Sequence, residues 1–197
     1  IEPYLRQEVK EKLDVYDHFM VAELNGNYST TLRRNVGNVS DREYFKHVME
    51  GKTVVSNPLI SKSTGKPAAI IASPILDDNG KIKGVMAGAV NLIKLSRIIE
   101  DLKYNYPNSY SYIVDKEGLI IAHPREELIL QQNIIKESDI ITKNVAQASA
   151  EILTNDQGSN TYSFENIVSM NYYHIIPNTD GWKLVIKIPV NYWHTPM

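Results

Sequence analysis

The side chains best placed to do chemistry are Arg42, Tyr44 and Phe45, at the start of a helical pattern that Ser40 opens. A guanidinium presents a planar fork of donors to a carboxylate, and adjacent aromatic rings can wall a small pocket. The same residue types also serve structure alone, with Arg42 holding a loop carbonyl and Phe45 filling the core. Residue type leaves both readings open.

Other groups argue against catalysis. His18, His47, His123, His174 and His194 are scattered, with neither helical metal-site spacing nor a carboxylate in a ligand motif. His123-Pro124 reads as a turn after a strand. Ser61, Ser63 and Thr64 precede Gly65-Lys66, but a phosphate loop needs glycine where Ile60 stands. No Gly-x-Ser-x-Gly elbow occurs. Asp77 and Asp78 sit beside Asn79-Gly80 and read as a solvated turn. A hydrolase would need a base and nucleophile converging from residues such as His18, His47 and Ser73, and no spacing points that way. The chain has no cysteine, which excludes a thiol nucleophile, a thiolate metal site and a disulfide scaffold, and suits a segment outside the bacterial cytoplasm. No catalytic residue, metal site or cofactor is predicted.

The elements that must position Arg42 follow from periodicity. Ile1, Leu5, Val9 and Leu13 recur every four residues among charges, predicting a helix to about Asp17. Its start carries no cap, as expected of a helix continuing upstream. Its stripe suits packing on the chain's own sheet, with pairing in a homodimer the alternative. His18–Leu24 and Tyr28–Leu32 read as strands joined by Asn25-Gly26. Ser40 and Glu43 form a capping-box pattern for a helix over Asp41–Met49 that Gly51 ends. Thr53–Ile60 reads as a strand. Ala68–Leu76 and Lys81–Val90 form a hairpin about Asp77–Gly80. Leu95, Ile98, Ile99 and Leu102 line one face of a helix over Leu92–Tyr104, and Asn105–Ser109 reads as a linker. A second hairpin, Tyr110–Val114 and Leu119–Ala122, turns on Asp115–Gly118. A helix over Ser138–Leu153 and strands over Ser159–Phe164, Ser169–Ile175 and Trp182–Ile188 complete the chain. Hairpins dominate and no βαβ alternation runs through, so the class is α+β.

Composition sets the outer bounds. At 197 residues the chain can build one large or two small cores. A net charge of −2 gives no basic field for nucleic acid or anionic lipid. Apolar runs such as Ala68–Ala72 and Val85–Val90 fall far short of the roughly 20 residues of a membrane span, and no signal-peptide pattern opens the chain.

From Asn38 to Pro124 the sequence resembles the double Cache (dCache) family of extracellular, PAS-like sensor domains. Matching stretches are Ser40-Asp41-Arg42-Glu43-Tyr44-Phe45, Thr64-Gly65-Lys66-Pro67, Pro74-Ile75 with Gly80, and Gly84-Val85. Tyr112-Ile113-Val114-Asp115 with Gly118, then Ile121-Ala122-His123-Pro124 and Asp180-Gly181-Trp182-Lys183-Leu184-Val185, continue the likeness in order.

The resemblance implies two PAS-like lobes stacked along a long N-terminal helix: residues 1–16 as signalling helix, 17–107 as membrane-distal lobe with its linking helix, and 108–197 as membrane-proximal lobe. It implies a periplasmic or extracellular sensor anchored by flanking membrane helices, serving a chemoreceptor, histidine kinase or diguanylate cyclase. The distal lobe would bind a small organic molecule, a carboxylate being the class suited to Arg42. Its site would draw on Arg42, Tyr44, Phe45, Asn57, Leu59, Ser73 and Ala89. Family members that bind amino acids or amines carry an aspartate on the strand matching Val85–Leu92. Here the aligned residue is Ala89, and a shift of two residues gives Asn91, also uncharged. The tyrosine those members carry after the arginine-aromatic turn is Leu59. The carboxylate-gripping half of the pattern is therefore present and the ammonium-gripping half is not. The alternative is a partner-binding module of the same fold without a small-molecule ligand.

Overall fold

Strand β1 (Tyr16–Ala22) alternates with period two, turning His18, Met20 and Ala22 inward. This computed structural model describes residues 15–32, 37–100, 106–164 and 167–190. The chain divides into two compact units, residues 1–94 and 95–197. The expected N-terminal helix lies almost wholly outside the described residues. Its last positions, Tyr16 and Asp17, belong to β1.

The first unit is built on one antiparallel sheet. β1, β2 (Asn27–Thr30), β3 (Gly37–Asn38), β4 (Val54–Val55), β5 (Leu59–Ile60), β6 (Pro67–Leu76) and β7 (Ile82–Asn91) take the order β3-β2-β1-β7-β6-β4, with β5 also on β6. Helix α1 (Glu43–Met49) turns Tyr44, Phe45 and Val48 onto one sheet face. That face presents Met20 and Ala22 of β1, Ile70 and Ala72 of β6, and Val85, Ala87 and Ala89 of β7. The alanines leave room for the aromatic rings of α1. On the opposite face Gly88 makes the complementary accommodation: a Cβ there would come within 2.7 Å of the Tyr16 ring.

The second unit repeats the scheme. β8 (Tyr110–Val114), β9 (Ile120–Ala122), β10 (Gln157–Phe164), β11 (Ile167–Ile175) and β12 (Lys183–Pro189) form an antiparallel sheet in the order β10-β11-β12-β8-β9. In each unit the first strand pairs with the last, the second lies outside the first, and the penultimate outside the last. Both hairpin turns use one device. Asp77 Oδ1 accepts the Asn79 and Lys81 amides, and Asp115 Oδ1 those of Glu117 and Leu119, all at 2.9 Å. Helix α2 (Leu92–Glu100) crosses the boundary between the units, and α3 (Lys143–Thr154) packs on β10. Lys183 Nζ donates to the Leu153 carbonyl at 2.8 Å, satisfying an acceptor in the last turn of α3.

Three expectations need correction, and one element is additional. Thr53–Ile60 is two short strands, because Ser56 Oγ takes the Ile70 amide that a continuous ladder would use, and Pro58 follows. Helix α3 starts at Lys143, since Ser138–Ile141 closes its own backbone turn. A short 3₁₀ turn, Glu126–Leu128, was not anticipated. The capping box does not form: Ser40 donates its amide and hydroxyl to Asn38 Oδ1, and Glu43 pairs with Lys46 at 2.6 Å. Helix α1 therefore begins after Arg42, whose backbone is extended.

Candidate functional site

The turn before α1 is held from both sides. Asn38 donates to the Asn25 carbonyl at 3.0 Å and to Asn27 Oδ1 at 2.9 Å, joining it to the β1–β2 hairpin. Gly26 approaches so closely that a Cβ would meet the Ser40 amide nitrogen at 2.7 Å, and its φ of +84° also favours glycine. Asp41 pairs with Lys62 at 2.7 Å, fastening the turn to the β5–β6 loop. Lys62 holds the Asp41 carboxyl below its usual range.

Held there, Arg42 and Tyr44 line a cavity of about 20 Å³. β1 contributes His18 and Met20, β2 contributes Tyr28, β6 contributes Ile70, and Leu59, Ser61, Lys62 and Ser63 close the far side. The Tyr28 hydroxyl and Ser63 Oγ lie 3.3 Å apart. Among the described residues, Arg42 makes one long hydrogen bond, from Nη2 to the Ile60 carbonyl at 3.5 Å. A guanidinium has five N–H donors, so most of its capacity remains. His18 is 2% exposed, and its Nδ1 is buried with no hydrogen-bond partner among the described residues. Burial lowers its pKa, against a smaller opposing effect of Asp17, and keeps the ring neutral. Burial also raises the Tyr44 phenol well above its ordinary range, leaving a neutral hydroxyl. The cavity lining contains arginine, lysine, tyrosine, serine and histidine but no carboxylate.

Of the residues predicted for the site, Arg42, Tyr44 and Leu59 come together around this cavity. Ala89 is paired with both His18 and Ile70 and is buried between them. Phe45 belongs to the core under α1, and Asn57 is exposed. Ser73 follows the core residue Ala72 and so falls on the other sheet face, its Oγ 2.8 Å from Thr53 Oγ1. Sequence reasoning missed His18, Tyr28, Ser61, Lys62 and Ser63. The alternation of His18 with Met20 and Ala22 was the available signal for its orientation. A larger cavity, about 430 Å³, lies in the second unit. The smaller one is the better candidate because a guanidinium and a buried, neutral imidazole both border it.

The fold accords with the comparisons. Residues 4–197 match the dCache_1 family, described as a Cache domain, and the chain belongs to that family. Among curated proteins it is similar to the methyl-accepting chemotaxis protein PscA of Pseudomonas syringae pv. tomato, 33% identical over 100 residues, 51% of this chain. It is also similar to sporulation kinase D of Bacillus subtilis, 30% identical over 105 residues, 53% of this chain. These matches span 15% and 20% of the two relatives' own lengths. Among solved structures, the extracellular domain of the putative histidine kinase mmHK1S-Z3 superposes with a TM-score of 0.70 at 15% identity, covering 96% of this chain and 78% of that one. The ligand-binding domain of the Pseudomonas aeruginosa chemoreceptor PctB, solved with L-Arg, gives 0.68 at 16% identity, covering 100% and 87%. That of Pseudomonas fluorescens CtaA, solved with L-serine, gives 0.72 at 14% identity, covering 96% and 79%. At these identities the likeness establishes the fold. Among the described residues no helix is long and apolar enough to cross a membrane.

Proposed function

We propose that this chain is the extracytoplasmic ligand-sensing module of a membrane-anchored signalling receptor, binding a small organic anion in the cavity of its first unit. One observation carries the reading. Arg42 and the buried, neutral imidazole of His18 border the same cavity, whose lining holds no carboxylate. A compact carboxylic acid answers both once the lining side chains move apart to admit it, since about 20 Å³ holds only one water. Its carboxylate meets the guanidinium and a neutral polar substituent faces His18 and the hydroxyls. The receptor is a chemoreceptor, histidine kinase or diguanylate cyclase, the flanking helices anchor it, and this domain faces the periplasm or cell exterior. Catalytic output then belongs to other domains. Ligand binding biases the receptor only through different affinities for two states of the domain.

A second reading has its own observation. A cavity of about 20 Å³ holds roughly one water, so the side chains nearly fill it. That favours a module of the same fold that reads a protein partner. In a thermal-shift screen of small carboxylates, nucleobases and amines, the sensor reading expects a stabilising carboxylate and no turnover. A hundredfold excess over Kd adds about 2.7 kcal/mol, a visible rise in Tm. Arg42→Ala should then weaken that ligand by about 1.5 to 3 kcal/mol while the unliganded variant keeps its melting temperature. A screen without a carboxylate hit selects the partner reading.

A further inference from the structure

The cavity of about 430 Å³ in the second unit has a chemistry of its own. This volume lies within the roughly 300–1,000 Å³ of ordinary small-molecule sites. The cavity lining combines the apolar side chains of Ile120, Leu128, Ile134, Ile140 and Val145 with the polar groups of Tyr110, Tyr162, Ser149, His123 and Lys187.

Lys187 sets the sign. Its ammonium lies 5.3 Å from the centre of the Tyr110 ring and 5.5 Å from that of Tyr162. No carboxylate pairs with it among the described residues, whereas the other cation of the lining, Arg125, is answered by Glu127 at 2.8 Å. Burial lowers the Lys187 pKa with no acidic group opposing. Two ring faces replace part of the lost hydration of an ammonium but do not neutralise it. His123 adds a donor. Its Nδ1 accepts the Arg125 amide at 2.9 Å, and burial drops its pKa to about 4, so the neutral ring carries its proton on Nε2. The Tyr110 ring meets His123 edge-on at 5.1 Å, which fixes the imidazole plane.

We propose that this cavity is a second small-molecule site, for a monocarboxylate with an apolar body. The carboxylate meets Lys187, with the His123 Nε2–H and the tyrosine hydroxyls as further donors, and the body lies along the isoleucines. This site shares no residue with the Arg42 cavity and stands independently of the function proposed for it.

Calorimetric titration of the chain with hexanoate and benzoate, beside hexanamide and benzamide, tests this directly. Both acids should bind, and both amides should bind at least roughly tenfold more weakly, the loss of one charge-assisted contact. Lys187→Met should remove that preference for the acid. In case the variant fails to fold, NMR contacts from the hexanoate methyl to the methyls of Ile140 and Val145 in the unsubstituted chain serve instead. The proposal is overturned if neither acid binds, if Lys187→Met binds the acids as well as the parent does, or if those methyl contacts are absent. It is equally overturned if Arg42→Ala abolishes hexanoate binding and Lys187→Met does not.

Discussion

The first unit buries an imidazole with one bare nitrogen, and the second buries another whose Nδ1 accepts a backbone amide. Both resist protonation in the folded state, His18 chiefly through desolvation and His123 through desolvation with Arg125 adding to it. The sign of the stability effect follows. As pH falls below the ordinary value of 6.5, the unfolded chain takes up protons that the folded chain refuses, so stability declines. For His123 the decline spans about 6.5 to about 4, worth about 3 kcal/mol at most. Denaturation midpoints measured between pH 7 and 5 should fall for the parent chain and less steeply for His123→Gln. Equal slopes would remove His123 from the explanation. At this scale, the meeting of Arg42 and Tyr44 at one cavity was expected from the family resemblance, while residue type alone left a structural role open. The places of His18, Tyr28 and Lys187 at their cavities were not legible, because each is brought there by partners far along the chain.

The decisive element is the turn before α1, and Asn38 organises it. Its side chain donates to the Asn25 carbonyl and to Asn27, and accepts the amide and hydroxyl of Ser40. Removing it frees the segment carrying Arg42 without touching the cavity. Asn38→Ala should cost about 1 to 3 kcal/mol in chemical denaturation and weaken the ligand of the first unit as well. Asn38→Asp keeps the acceptor for Ser40 but sets a carboxylate oxygen against the Asn25 carbonyl and Asn27 Oδ1, and should cost at least as much. A variant with parental stability and parental affinity would show that the turn is held by Asp41–Lys62 and Gly26 alone. Hairpins were the most legible elements, since Asp-Asp-Asn-Gly and Asp-Lys-Glu-Gly place an aspartate and a positive-φ glycine where the turn uses them. The capping box misled because Ser40 has the right spacing to Glu43 but a nearer partner in Asn38. Thr53–Ile60 misled because Ser56 diverts the ladder.

On the scale of the molecule, each unit repeats one strand order, with the central pair β1–β7 or β8–β12 made from the ends of its segment. Such pairings close only after everything between them is made, and a local reading sees the strands but not their order. The two antiparallel lobes were nonetheless legible from the recurrence of the same hairpin. The cavity of the second unit was not, since Tyr110, His123, Tyr162 and Lys187 come from separated stretches with no motif between them. The central claim concerns the first unit: it takes a compact acid and refuses a zwitterion. An α-amino acid would bring an ammonium to a lining of arginine, lysine, histidine and hydroxyls that includes no carboxylate. Burying that charge unpaired costs several kcal/mol. Calorimetry of the unmodified chain against pyruvate, lactate and propionate, with L-alanine and L-serine alongside, measures this contrast in one experiment. The account predicts heat of binding from at least one of the acids and none from the amino acids, and micromolar binding of L-alanine or L-serine would contradict it.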